Sequence, residues 1–210
     1  MANSHHGLII EVVAPGETPP EGKILFFDDF EDGPDPAWAP SSGTWIVTKE
    51  GRYTVQEKEW KEHTYTYVKK GRLWRNYAVE VDIYGANMKR ETMMGTYHQG
   101  SGIIVRARDD LNKILLLNVS DEYLCWRVIK DGEHIKSCVN KVTPGLPAKA
   151  HIRVKVVGNI FEAYVNGIKR TTLKLEEDIH KYFKKGMPGL YISYNMGVTF
   201  DDFKVTSLGD

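Results

Sequence analysis

A short acidic motif bounded by phenylalanines occurs twice in the 210-residue chain, once near each end. The first copy is Phe27-Asp28-Asp29-Phe30, followed by Glu31, and the second is Phe200-Asp201-Asp202-Phe203. We expect the phenylalanines to anchor in a core while the carboxylates project at an edge. If the first and last strands are neighbours, the carboxylates converge, and like charges held close together repel one another.

A hard cation resolves such repulsion, because Ca²⁺ takes six to eight oxygen ligands from carboxylates and carbonyls. The motif therefore predicts a structural calcium ion as cofactor. The predicted metal ligands are Asp28, Asp29, Glu31, Asp201 and Asp202. The alternative is that these acids cap turns at the solvent and do not meet.

Aromatic residues indicate a second kind of chemistry. Sugar sites place aromatic rings against the apolar faces of pyranoses and use a few polar side chains for the hydroxyls. The chain has 5 Trp and 11 Tyr, several of them close together around position 65. The predicted ligand-binding residues are Tyr65, Tyr67, Trp74, Tyr97 and Arg106. For Tyr65 and Tyr67, a half-buried structural pair is the alternative.

Catalytic motifs are weak. Glu80 and Asp82 share one face of an alternating strand, and glycoside hydrolysis needs two carboxyl groups flanking the scissile bond. The alternative is that they pair with arginines at 106, 108 or 127. Serine-nucleophile, zinc-protease and phosphate-loop motifs are absent from the sequence. No catalytic residue is predicted.

The elements that position these residues are strands. Alternation of apolar and polar residues over Tyr77–Ile83 is typical of a half-buried strand. A turn at Gly158–Asn159 would pair Val156 with Phe161 on an apolar face. Helical signal is confined to one or two turns within residues 175–185. The pattern predicts an all-β fold, an antiparallel β-sandwich of jelly-roll type.

The two cysteines lie on either side of a predicted turn at Asp131–Gly132. Regular pairing around that turn places Cys125 opposite Cys138 and Val128 opposite Ile135. Close pairs of this kind bring Cα atoms within disulfide range. A disulfide would imply an oxidising compartment, while two reduced cysteines side by side are the alternative.

Residues 1–22 have their own character and are predicted to form an N-terminal strand and a linker rich in Pro and Gly, followed by a sandwich domain over 23–210. The apolar segment 7–13 would pair locally at an edge, or be donated to a second copy to make a homo-oligomer. A secretory signal is not seen, so either the protein is not secreted or the signal was removed. We favour an extracellular or cell-surface location.

Composition excludes several classes. Lys plus Arg and Asp plus Glu are both 28, so the net charge is zero and a general nucleic-acid binder is disfavoured. With 41% hydrophobic residues the chain is not of the disordered class. The sequence has no apolar run long enough for a membrane span.

In several segments the sequence resembles the concanavalin A-like lectin/glucanase superfamily, and in particular its laminin-G-like and carbohydrate-binding modules. The resemblance is carried by the segments 27–33, 76–82, 102–112, 152–167, 186–190 and 200–205. It implies a jelly roll, and a structural Ca²⁺ near the terminal strands. We expect a non-catalytic domain whose partner is a polysaccharide or glycan. An assembly subunit and a divergent polysaccharide hydrolase or lyase are the alternatives.

Overall fold

A computed structural model describes residues 21–56, 63–87, 100–108, 112–194 and 197–209, together with the backbone alone at 89–92 and 95–98. Within these residues the structure has no helix of the length and hydrophobicity that crossing a bilayer requires.

Strands account for most of the described chain. In order they are β1 (Ile24–Asp28), β2 (Trp38–Pro40), β3 (Trp45–Val47), β4 (Tyr53–Val55), β5 (Thr64–Val68), β6 (Tyr77–Tyr84), β7 (Lys89–Thr92), β8 (Gly95–His98), β9 (Gly100–Ala107), β10 (Lys113–Val119), β11 (Leu124–Lys130), β12 (Glu133–Val142), β13 (Lys149–Val157), β14 (Ile160–Val165), β15 (Ile168–Lys174), β16 (Met187–Ser193) and β17 (Thr199–Ser207). A 3₁₀ helix, Lys69–Leu73, follows β5, and a four-residue helix α1, Glu177–His180, lies in the segment where the sequence predicts one or two turns.

Two antiparallel sheets form a sandwich, as predicted. The eight-stranded sheet has the order β15-β14-β13-β6-β17-β4-β3, with β1 also pairing with β17. The seven-stranded sheet has the order β12-β11-β10-β9-β16-β5-β2, and β7 pairs with β8 as a separate ribbon. The main core lies between the two large sheets and includes residues such as Phe26, Val81, Leu117 and Trp126. The fold is a jelly-roll sandwich.

The β13–β14 hairpin has the predicted register. Val156 lies opposite Phe161, and Val154 lies opposite Ala163. Both pairs are fully buried, while Lys155 and Glu162 face outward opposite each other. The two-residue turn therefore determined the register, since a slip by one residue would have exposed the apolar face.

The first and last strands are neighbours, as the acidic motif predicts, since Asp28 of β1 lies opposite Phe203 of β17. Along β6, β17 carries one extra residue between Asp201 and Lys204, and Asp202 has a φ of 50°. This bulge turns both Phe200 and Phe203 into the core although they are three residues apart. The first copy differs, because Phe27 is 37% exposed and Phe26 is buried in its place.

Cys125 and Cys138 form the predicted disulfide, with their Cα atoms 4.8 Å apart. The predicted register is wrong beyond the turn, because Val128 lies opposite Lys136 rather than Ile135. The ladder shifts three times along β12, where Cys138 and Asn140 have positive φ angles. Bulges of this kind add residues to one strand and leave no trace in the alternation of the sequence.

Residues 1–20 lie outside the described part of the chain, and so does the apolar segment 7–13. The division at residue 22 and pairing with a second copy therefore stay predictions.

Candidate functional site

The outer face of the seven-stranded sheet carries a second apolar cluster, separate from the main core. A sheet with one face on the core normally presents polar side chains on the other. Here the buried members of the outer cluster are Ile104, Ala107, Ile114, Leu116, Ile129, Met187 and Tyr191, and the half-buried Tyr65 and Tyr67 pack against them. We call these residues the outer-face cluster. It provides a largely apolar floor with aromatic rings at one side.

Three aromatic rings meet at that side. Tyr65 of β5 lies directly opposite Tyr191 of β16, and their rings stack with centroids 5.5 Å apart and planes at 26°. The His63 ring lies 5.7 Å from the Tyr191 ring, and a hydrogen bond of 3.1 Å joins its Nδ1 to the Tyr191 hydroxyl. His134 belongs to β12, toward the other edge of this sheet, and its ring is 6.3 Å from the His63 ring. The aromatic groups thus come from both edges of the sheet, which indicates a concave face.

Arg127 of β11 extends over the same face. It lies opposite Leu116, a member of the outer-face cluster, and directly opposed residues in a sheet project to the same side. Its Nε is buried and has no hydrogen-bond partner. Asn118 of β10 also projects outward, and its Oδ1 is buried without a partner. The face therefore holds one donor and one acceptor whose hydrogen bonds are not made within the part of the chain that the structure describes.

Burial determines the ionisation of the two tyrosines. Removal from water raises the pKa values of Tyr65 and Tyr191 above the usual range for a phenol. The guanidinium of Arg127 acts on both in the opposite direction, which places its charge near both hydroxyls. Both phenols are neutral near pH 7 and can donate hydrogen bonds.

The structure places the predicted ligand-binding residues in three different settings. Tyr65 and Tyr67 share the outer face of β5, as predicted, and both are half-buried. Trp74 follows the 3₁₀ helix and packs against the main core, where its ring meets Tyr77 edge-on at 6.3 Å. Tyr97 belongs to β8, but its side chain lies outside the described residues.

Arg106 lies inside the sandwich, although the sequence predicts it to be a ligand-binding residue. It is 1% exposed, and its guanidinium donates to the carbonyl oxygens of Arg75, Gly158 and Phe183 at 2.6–2.8 Å. Burial lowers its pKa to about 10. Arg106 thus joins three loops at one end of the sandwich and does not reach the outer-face cluster with Tyr65.

The predicted metal ligands are not brought together in one group. Asp28 is 8% exposed; its carboxylate accepts hydrogen bonds from the backbone N–H groups of Phe30 and Asp35 and from Nε1 of Trp38, at 2.7–2.9 Å. Burial raises the pKa of Asp28, and these donors oppose that effect. The carboxylate thus already has three protein donors.

The other predicted ligands face elsewhere. Asp201 lies opposite Asp82 of β6 and 3.9 Å from Nε of Arg52. Asp29 accepts a hydrogen bond from the backbone of Glu31, and Asp202 is exposed. Among the described residues, no three His, Cys, Asp or Glu side chains are grouped as a metal site would need. The predicted ligands do not form one such group, and the calcium site stays a prediction.

Glu80 and Asp82 lie on the outer face of the eight-stranded sheet, where cations neutralise both. Glu80 pairs with Arg153 at 3.1 Å and with Lys204 at 2.6 Å. Asp82 pairs with His151 at 2.7 Å and with Lys149 at 3.6 Å. Both carboxylates are engaged in structural pairs, as the alternative interpretation of the sequence has it, but with partners other than the arginines at 106, 108 and 127.

The sequence contains a glycosylation motif at Asn118-Val119-Ser120, but Asn118 is only 2% exposed. The folded chain therefore does not present Asn118 for attachment of a glycan.

Sequence reasoning missed Tyr191, His63 and His134 as members of this face. Their signal was poor, because both faces of β16 are buried and its sequence does not alternate. Arg127 lies between the buried Trp126 and Val128, so the sequence pattern alone indicates that it points outward. The pattern does not indicate which side chains Arg127 meets across the sheet.

Known structures share the sandwich. No protein-family model matches the chain, and a search of curated proteins finds no relative. A carbohydrate-binding module, CBM66 from Bacillus subtilis, is similar with a TM-score of 0.59 and 16% identity over 82% of this chain and 93% of that chain. A protein of unknown function with a galectin-like fold, also from Bacillus subtilis, has a TM-score of 0.63 and 12% identity over 90% of this chain and 97% of that chain.

A third similar structure is a larger protein. The GH43 protein BlXynB from Bacillus licheniformis has a TM-score of 0.60 and 15% identity, covering 86% of this chain and 39% of that one. At these identities the likeness shows the fold alone. The chain has the jelly-roll sandwich of the concanavalin A-like type, which the sequence resemblance predicts.

Proposed function

We propose that the chain is a carbohydrate-binding domain and that the outer face of the seven-stranded sheet is its binding surface. The observation that carries the proposal is the outer-face cluster, on which Tyr65 and Tyr67 are half-exposed. A sheet that needed only to face water would have no reason to place tyrosines on an apolar floor. The similarity to a carbohydrate-binding module supports the proposal at the level of the fold.

The chemistry of the face suits a sugar. The rings of Tyr65 and Tyr67 offer flat apolar surfaces for a pyranose. The half-buried side chain of Arg127 offers guanidinium donors for hydroxyl groups. The outward-facing side chains described on β5, β9, β10, β11 and β16 include no Asp or Glu, so the pair of carboxyls needed for hydrolysis is not found among them. On this chemistry we propose a non-catalytic role.

We also propose an extracellular or cell-surface location. The Cys125–Cys138 disulfide supports it, since structural disulfides persist in oxidising compartments. Among the described residues no observation favours the assembly or cleavage hypotheses, which stay predictions.

The test is binding to a panel of soluble polysaccharides by affinity electrophoresis and calorimetry. We expect Tyr67→Ala to weaken binding at least about tenfold, as loss of an aromatic contact does. The matched control is Tyr164→Ala, which removes a half-buried tyrosine from the outer face of the eight-stranded sheet. An equal loss of affinity in both variants would contradict the proposal. So would electrophoresis in which no glycan retards the migration of the protein.

A further inference from the structure

Arg127 is a partly buried cation whose counter-charge is not found among the described residues. Its Nε is removed from water and unpaired, and no carboxylate of the described chain forms an ion pair with it. Burying a charge without a partner costs stability, so such a group is usually paired. Its neighbours are the neutral phenols of Tyr65 and Tyr191.

The opposite face of the molecule shows what pairing looks like in the same fold. There Arg153 is bound to Glu80, and Lys169 is bound to Glu162. Opposite charges facing each other in this way make the outer face of the eight-stranded sheet self-neutralising. Arg127 differs from these cations because the described residues include no carboxylate that forms an ion pair with it.

The surroundings of Arg127 do not offset its charge. The outward positions described on the five central strands include no acidic side chain. A cleft lined by one sign of charge on a low-dielectric floor concentrates ligands of the opposite sign.

We propose that the glycan bound by this face is acidic, and that Arg127 binds its carboxylate or sulfate group. This inference rests on the proposed function. A guanidinium presents a planar set of donors that matches such oxyanions, and it supplies the missing counter-charge only when the ligand is bound. The sugar ring then lies toward Tyr65 and Tyr67.

The experiment compares charged and neutral forms of one backbone. Oligogalacturonate and its methyl ester differ in charge and share the ring, and a sulfated galactan against its desulfated form tests the other oxyanion. We expect one of the two acidic ligands to bind about ten- to a hundredfold more tightly than its neutral form, as a charged hydrogen bond at a partly buried site would give. Arg127→Gln should abolish that difference.

The matched control is Lys155→Gln, which removes one positive charge from the outer face of the eight-stranded sheet. Lys155→Gln should keep the preference for the acidic ligand over its neutral form. If that preference came from a nonspecific attraction of polyanions, both variants would lose it equally. Thermal unfolding of Arg127→Gln confirms that the variant is folded, and Arg127→Lys is a second variant that keeps the charge.

The outcomes separate this inference from the proposed function. Binding that needs Tyr67 but ignores esterification, desulfation and Arg127→Gln overturns the acidic-ligand inference and leaves carbohydrate binding standing. Binding of no glycan, charged or neutral, overturns both. An equal loss in Arg127→Gln and Lys155→Gln also overturns the assignment to Arg127.

Discussion

Tyr65 and Tyr191 stack across neighbouring strands, 5.5 Å apart, and only one of them reaches the solvent. Tyr191 is 1% exposed, while Tyr65 is half-buried. Because the backbone register sets them directly opposite, the buried ring supports the exposed one. We therefore expect Tyr191 to act mainly in stability and Tyr65 to act also in the proposed glycan binding.

Substitution should separate these roles. We expect Tyr191→Ala to cost about 3 kcal/mol of unfolding free energy, as loss of a buried aromatic ring does, and to weaken glycan binding as well. Tyr65→Ala should cost only about 1 kcal/mol, the order of a stacked pair, while weakening binding similarly. Urea denaturation and calorimetry on the same samples check this. Equal stability losses in the two variants would contradict it.

Buried tyrosines are also expected to determine how the stability of the fold falls at alkaline pH. Burial raises the pKa of Tyr53 to about 12 from 10.0 and raises those of Tyr77 and Tyr191 too. Between pH 10 and pH 12 the folded state binds more protons than the unfolded chain. The free energy of unfolding is therefore fully present below pH 10 and falls as the pH rises through this range. Tyr53→Phe removes one such group, and the fall between pH 10 and pH 12 should become shallower.

Denaturant midpoints measured across that range test the prediction. The control is Tyr164→Phe at a half-buried position, where a hydrogen bond to Glu162, more than burial, raises the pKa of the phenol. A slope that flattens equally in both variants would show that burial of Tyr53 is not the cause.

The disulfide is expected to stabilise the β11–β12 hairpin. Replacing Cys125 and Cys138 by Ala should lower the unfolding free energy by about 3 kcal/mol, the order expected for a loop of 13 residues. A reducing agent should destabilise the wild type by a similar amount and leave the double variant unaffected. A reducing agent without effect on the wild type would mean that the thiols are not joined.

Asp28 is expected to stabilise the fold through its three protein donors. Asp28→Asn should cost about 2 kcal/mol, because an amide nitrogen cannot accept from the donors that now meet the carboxylate. The matched control is Asp202→Asn, an exposed position with positive φ that Asn tolerates. Thermal unfolding with and without a chelator gives the readout.

The chelator distinguishes this account from the calcium prediction. We expect the cost of Asp28→Asn to be the same with and without it, because the donors are protein groups. A chelator that lowers the wild-type Tm but not that of Asp28→Asn would instead show that Asp28 binds a metal ion.

Sequence reasoning gave the correct register where a short turn was followed by regular strands. The β13–β14 hairpin is such a case, since the two-residue loop at Gly158–Asn159 and an unbroken alternation determine every pair. Sequence reasoning could not predict the β-bulges, because they depend on backbone angles that the alternation of apolar and polar residues does not indicate. Three register shifts along β12 displaced the expected partners of β11.

Arg106 shows how a bulge that the sequence does not reveal changes the position of a predicted site residue. Regular alternation would place Arg106 on the same face as Ile104, a member of the outer-face cluster. In the structure β9 has an extra residue opposite β16, Arg106 has a φ of 53°, and Ala107 takes the outward position instead. The bulge turned the guanidinium inward, so one backbone angle changed the role of the residue.

The measurement that tests the central claim most directly is the mapping of a bound oligosaccharide by backbone amide chemical shifts. Titration should shift the amides of β5, β16 and β11 around Tyr67, Tyr191 and Arg127, and leave those around Glu80 and Arg153 unchanged. Shifts confined to β6 and β13 on the eight-stranded sheet would contradict the assignment of the binding surface.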